Sequence, residues 1–221
     1  MKKYYEAYDQ RYATIHQENK RWTSLEHTKI LDSIINKYNI NKDNKLLELG
    51  CGEGRDSIYL LQNGFNLLAT DVSRSAIQYC KENYPRYQNH FVKLDFLQDK
   101  LNDKYDFIYL IAVLHMLVLD EDRNGLYQFI FNHLEDNGIC LITSMGDGIR
   151  EYSSDINQAF EMVKRNHNRG EIMVPATSCR MVNMKHFLNE ITSNNFQILE
   201  SGVTEAYPEF DSLLYAVIKK K

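Results

Sequence analysis

The residues with the clearest chemical purpose lie in one stretch, Leu46-Leu47-Glu48-Leu49-Gly50-Cys51-Gly52-Glu53-Gly54-Arg55-Asp56-Ser57. Glycines at alternate positions let the backbone approach a ligand closely, and free N–H groups where a helix starts favour a negatively charged group. A pyrophosphate loop of the G-x-G-x-x-G form would need a glycine where this chain has Arg55. Glu48, two residues before Gly50, would repel a pyrophosphate and attract a ligand carrying an ammonium and a sulfonium. The loop therefore argues against a nicotinamide dinucleotide. Two more acids end apolar runs: Asp71 closes Asn66-Leu67-Leu68-Ala69-Thr70, and Asp95 follows Phe91-Val92-Lys93-Leu94. Asp71 lies about 20 residues beyond the loop, the distance at which a carboxylate reaches ribose hydroxyls in a strand-helix-strand nucleotide site.

These residues need elements to hold them. Lys45 to Leu49 reads as a buried strand, Asp56 to Leu61 opens a helix that stops near Asn63-Gly64, and Ser73 caps a helix running to about Tyr84 before Pro85. Strands then recur at His90–Phe96, Tyr105–Ile111 and Ile139–Ser144. Strand alternating with helix implies a parallel sheet covered on both faces, with ligands at the carboxyl ends of its strands. Gly50, Gly52, Asp71, Asp95 and Ile111 all fall at such ends.

Ahead of this core, Tyr5, Tyr8 and Tyr12 are spaced i, i+3 and i+7, with Ile15 extending the stripe. They predict a helix that either packs on the core or forms a lid over ligand and acceptor. Trp22 anchors the next helix or walls the site, and that helix should run from Leu25 to Tyr38 with Ser24 as its cap. After the fifth strand, Gly146 to Ser178 reads as an insertion that caps the acceptor. Ile156, Ala159, Phe160 and Val163 predict a helix over Asp155–Arg165. A helix from Met184 to Asn194 and strands at Phe196–Leu199 and Ser212–Ile218 close the chain. One domain is expected: a helical segment 1–44, a core 45–145, the cap 146–178 and a closing segment 179–221.

Composition narrows the function. The chain has 221 residues, 43% of them hydrophobic, and a net charge of -4. That balance argues against a broad nucleic-acid surface, which needs clustered Lys and Arg. Cys51, Cys80, Cys140 and Cys179 show no C-x-x-C pairing, so reduced thiols are expected and no metal site. The start lacks the apolar core of a signal peptide, and the longest apolar run, Ile108 to Leu119, is too short to cross a bilayer. A cytoplasmic protein, monomeric or homodimeric and acting away from membranes, is expected.

The acid-x-Gly-x-Gly loop, Asp71, Asp95, the run Tyr105–His115 and the corner Leu134–Thr143 arrive in the order that resembles class I S-adenosylmethionine-dependent methyltransferases. The resemblance implies a Rossmann-like, doubly wound α/β sheet of seven strands, mostly parallel with an antiparallel last strand. It implies S-adenosyl-L-methionine held by Glu48, Gly50, Cys51, Gly52, Arg55, Asp71, Val72, Asp95, Phe96 and Ile111. The loop and the following Tyr59-Leu60-Leu61 are similar to the thiol, thiopurine and tellurite branch, and no Asn/Asp-Pro-Pro-aromatic motif follows the fourth strand. A small-molecule N, O or S acceptor is expected, methylated by in-line displacement. Tyr8, Tyr12, Trp22, His115, His167 and Arg180 are the candidate acceptor residues. His115, just past the fourth strand, is the candidate base or else a packing residue. The alternatives are a non-catalytic cofactor-binding sensor and an aminopropyl transferase.

Overall fold

In the computed structural model, residues 3–167, 170–204 and 212–221 are described. A 3-10 turn at Tyr4–Glu6 leads into α1 (Ala7–Gln17), and α2 (Lys29–Lys37) follows. The core then alternates through β1 (Lys45–Leu49), α3 (Arg55–Gln62), β2 (Asn66–Asp71), α4 (Arg74–Asn83), β3 (Phe91–Lys93), β4 (Tyr105–Leu110), α5 (Asp120–His133) and β5 (Leu134–Met145). Beyond it come β6 (Tyr152–Ser153), β7 (Met162–His167), β8 (Gly170–Pro175), β9 (Arg180–Met181), α6 (Met184–Ser193), β10 (Phe196–Thr204) and β11 (Leu213–Lys220). Seven strands form the main sheet in the order β10-β11-β5-β4-β1-β2-β3, and β11 alone runs against the others.

Alternation along β1 splits the core. Leu47 and Leu49 join Ile108, Leu110 and the apolar faces of α5 and α6, whereas Leu46 joins Phe107, Tyr109 and the faces of α2 and α3. Glu48 shares the face of Leu46, and the register sets it beside Tyr109 on β4.

Two sequence expectations are corrected. The second helix begins at Lys29, with Thr28 rather than Ser24 at its cap, because Asp56 captures the Thr28 N–H at 2.6 Å and its hydroxyl at 2.9 Å. The expected helix over Asp155–Arg165 shrinks to a 3-10 turn at Ile156–Gln158, and β7 pairs antiparallel with β8 as a hairpin. Val163 and Arg165 reach ladder partners Val174 and Ile172, and this pairing outweighs the local helical spacing. β6 pairs with β9 in a second small ribbon.

The turn after β4 is pinned by Arg123, which is 1% exposed. Its guanidinium donates to the Leu114 carbonyl at 2.9 Å and the Leu117 carbonyl at 3.2 Å, and meets Glu190 of α6 at 2.9 and 2.7 Å. Arg123→Met should cost about 3 kcal/mol, because it strands a partly buried carboxylate and two carbonyls. Thermal unfolding should then begin roughly 6–12 °C earlier. An unchanged melting temperature would show that the pair contributes nothing net.

Candidate active site

The strand ends are held open by backbone geometry. Gly50 and Gly52 have φ of +78° and +51°. A Cβ on Gly50 would sit 2.4 Å from Val113 Cγ2, and one on Gly52 would sit 2.6 Å from the Tyr12 hydroxyl. The N–H groups of Gly50 and Cys51 both donate to the Thr70 carbonyl at 2.8 Å, tying the loop to β2. Past β4, Ala112 takes φ of +56°, held by its N–H to Thr143 Oγ1 at 2.8 Å. A non-glycine residue there is uncommon and marks an over-determined turn.

Two neighbouring cavities lie over these ends and share Tyr8, Tyr12, Gly50 and Met116. The first has about 560 Å³ of empty space, its open mouth included, and is walled by Tyr5, Asp71, Val72, Asp95 and Phe96. The second has about 660 Å³ on the same measure and is walled by Arg11, Trp22, Glu48, Arg55, Ile111 and Ala112, with Cys51 and Gly52. All ten cofactor candidates from the sequence therefore line one cavity or the other.

Each acid is engaged differently. Asp71 accepts the N–H of Gly52 and of Ser73, each at 2.8 Å, and burial pushes its carboxyl up to about 6 against the pull of those donors. Asp95 accepts the Leu97 N–H at 3.0 Å and the Tyr5 hydroxyl at 3.0 Å. Glu48 accepts from the Ser57 hydroxyl and from the Tyr109 hydroxyl. Burial, reinforced by nearby Asp56, pushes its carboxyl well above the ordinary glutamate range, toward the protonated form. Glu48 thus carries less negative charge than the sequence suggests. Arg55 is turned to Asp56 at 3.1 Å and to the Thr28 hydroxyl at 2.8 Å while still forming part of the wall.

The cover is tied down at several points. Tyr4 donates to Asp122 at 2.6 Å, Tyr8 donates to the Ser178 carbonyl at 2.8 Å, and Asp9 accepts the Ser73 hydroxyl at 2.8 Å. Glu53, fully buried, gathers the segment after α1: it accepts the N–H groups of Trp22 and Thr23, the Thr23 hydroxyl and His16. Ile15, Ile172 and Val174 pack together with Trp22 against them, joining α1 to the hairpin.

Among the acceptor candidates, Tyr8, Tyr12 and Trp22 line the cavities. His115 does not. Its ring is buried, Nδ1 accepts the Met145 N–H at 3.3 Å, and burial, with Arg123 nearby, pushes its pKa down to about 3. It is a neutral hydrogen-bonding residue behind the wall. Arg180 is held by Asp120 at 2.6 Å and the Val118 carbonyl at 2.8 Å, also away from both cavities. The backbone of His167 ends β7, and its side chain lies outside the described residues. No metal-binding group of three or more His, Cys, Asp or Glu occurs among the described residues, nor does a helix long and apolar enough to cross a membrane.

The sequence reading missed Arg11, Thr23, Ala112, Val113 and Met116. Arg11 was detectable, since it stands three residues after Tyr8 and four before Ile15, inside the aromatic stripe of α1.

Residues 47–140 match the family described as "Methyltransferase domain". A ubiquinone biosynthesis O-methyltransferase of Rickettsia canadensis (strain McKiel) is 26% identical over 78% of this chain and 78% of its own length. A malonyl-[acyl-carrier protein] O-methyltransferase of Bacillus anthracis is 23% identical over 96% of this chain and 75% of its own. In fold, the chain is similar to the 1,6-didemethyltoxoflavin-N1-methyltransferase of Burkholderia thailandensis, with TM-score 0.73 and 14% identity over 99% of this chain and 89% of that one. With the acid-x-Gly-x-Gly loop and the seven-stranded topology, the domain match defines a Rossmann-like transferase. Residues 47–140 thus carry a methyltransferase domain, and the chain as a whole is similar in fold to S-adenosylmethionine-dependent methyltransferases. The glycopeptide N-methyltransferase MtfA, similar in fold with TM-score 0.66 and 14% identity over 89% of this chain and 95% of that one, was solved in complex with S-adenosylmethionine.

Proposed function

We propose that this enzyme methylates an oxygen of a small-molecule acceptor, with the adenosine of the cofactor in the first cavity and its methionine end in the second. The observation that carries the reading is the pair of cavities meeting at Gly50, Tyr8, Tyr12 and Met116, with Asp71 and Asp95 along one and Gly52, Glu48 and Arg55 along the other. Asp71 faces the ribose hydroxyls, Asp95, Val72 and Phe96 the adenine, and Gly50, Gly52, Cys51, Glu48, Arg55 and Ile111 the methionine end. Val113 and Tyr12 pack where side chains on Gly50 and Gly52 would project, so both loop positions admit only glycine. Oxygen is favoured over nitrogen or sulfur by the two O-methyltransferase relatives.

The bound cofactor supplies a methyl group on a sulfonium, which an acceptor lone pair displaces in line. The chain aligns the acceptor and excludes water, terms that supply much of the acceleration in such displacements. Tyr8, Tyr12, Trp22 and Met116 form the apolar enclosure. Among the described cavity residues there is no imidazole to take a proton. An acceptor whose hydroxyl ionises readily needs none.

Titration calorimetry with S-adenosylhomocysteine, followed by assays of phenols, amines and thiols with labelled methyl donor, tests the reading. Binding and methyl ether formation are expected; transfer to amines or thiols alone would overturn the oxygen assignment. A failure to bind with any acceptor present would overturn the site assignment. Glu48 adds a further expectation. A ligand ammonium beside its carboxyl favours the ionised form, so binding near neutral pH should release protons. Binding enthalpies measured in phosphate and Tris should differ accordingly, and equal enthalpies would place the ammonium elsewhere.

A further inference from the structure

The group that the proposed cofactor contacts leave unused is Arg11. Its side chain is 7% exposed and lines the second cavity only. Nε and Nη2 donate to a single acceptor, the Pro175 carbonyl of the hairpin, at 3.3 and 3.0 Å. The guanidinium carbon lies 4.9 Å from the Trp22 ring centroid and 5.6 Å from that of Tyr8. Among the described residues no carboxylate comes within ion-pair distance of it. A buried cation held only by one carbonyl and two ring faces is costly to desolvate, and buried charges are ordinarily paired. Arg165 on β7 adds a second positive charge close enough to weaken the hold of Arg11 on its proton. The local field therefore favours an anion.

We propose that Arg11 is a specificity-determining residue that binds a carboxylate on the methyl acceptor, which is accordingly a small planar acid. This rests on the reading of the two cavities as the cofactor and acceptor site. The planar guanidinium matches a carboxylate through two parallel N–H donors, and Nη1 has no protein partner among the described residues. Tyr8, Tyr12 and Trp22 beside it give a flat ring its faces. The bond to Pro175 sets the guanidinium from the hairpin side, so the insertion and α1 together fix the acceptor's position. Arg55, already balanced by Asp56, is the less available cation of the two.

The test uses the full chain saturated with S-adenosylhomocysteine and titrated with 4-hydroxybenzoate or its methyl ester, for the wild type, Arg11→Lys and Arg11→Met. The wild type should bind the acid at least tenfold more tightly than the ester. Arg11→Met should abolish that preference, Arg11→Lys should keep part of it, and both should hold S-adenosylhomocysteine within about threefold of wild type. A tenfold loss of S-adenosylhomocysteine affinity in Arg11→Met, with the preference for the acid intact, would assign Arg11 to the cofactor's own carboxylate and overturn the proposal. Equal affinity of the wild type for acid and ester, or no binding of either to the loaded protein, would also overturn it. If the wild type fails to bind S-adenosylhomocysteine, the underlying reading of the site fails first, and the two failures are thereby distinguished.

Discussion

Asp71→Ala should weaken binding of S-adenosylhomocysteine about a hundredfold. A carboxylate accepting two hydroxyl donors from a ribose supplies charge-assisted hydrogen bonds of about 1.5 kcal/mol or more each, and a loss of about 3 kcal/mol is two decades in affinity. The same carboxylate also anchors the Gly52 and Ser73 N–H groups, so its removal relaxes the loop as well as the contact. A pH series separates the two effects. Burial raises Asp71 to about 6, so its ionised form, which accepts the ribose hydroxyls, declines as pH falls through 6. Affinity in the wild type should therefore drop between pH 7.5 and pH 5.5, while Asp71→Ala should show a flatter profile. For folding the sign is opposite. The folded chain holds this proton more tightly than the unfolded one, whose value is near 3.8, so the contribution of Asp71 to stability is fully present below 3.8 and is lost as pH rises through 6. Calorimetry across this range checks both signs, and a flat wild-type profile with full affinity in Asp71→Ala would remove Asp71 from the site.

Glu53→Gln should free the cover. Burial alone would raise the Glu53 carboxyl, but the bonds from His16, Thr23 and Trp22 outweigh it and hold the group below the usual glutamate range. A glutamine keeps one carbonyl oxygen and turns an NH₂ group toward donors that need an acceptor. The groups aimed at the replaced Oε1, His16 and in part the Trp22 N–H, then lose their acceptor, at about 1–3 kcal/mol in all. We expect a fall in thermal stability of roughly 2–12 °C for a loss of about 1–3 kcal/mol. Proteolysis within residues 18–28 should be faster, and it should be slowed again by S-adenosylhomocysteine. The depressed pKa also fixes a direction. Stability from Glu53 is present above its unfolded value of about 4.5 and is lost as pH falls through the lower folded value. Unchanged proteolysis in Glu53→Gln would mean that α1 and its hairpin partner hold the cover without this carboxylate.

Much of this site was legible in the chain because a parallel α/β sheet converts sequence order into position. An apolar run that ends in Gly50, Asp71, Asp95 or Ile111 delivers that residue to the same edge, and the ten residues implied by the family resemblance line the cavity walls there. The stripe of Tyr5, Tyr8 and Tyr12 likewise marked its cavity face by helical period. What the order of residues did not decide depended on contacts between distant segments. The strand pairing of Val163 with Val174 and of Arg165 with Ile172 replaced a helical period with a hairpin. The burial of His115 behind the wall, with Arg123 beside it, took it out of the cavity, although its place after β4 had suggested a base. Glu48 kept its position but not its charge, since Ser57 and Tyr109 come to it from α3 and β4 and burial favours the protonated form. Arg11 is the clearest case. Its place in the aromatic stripe of α1 is written in the sequence, but its setting as a buried cation with no carboxylate partner among the described residues arises only when the Pro175 carbonyl, 164 residues away, closes over it.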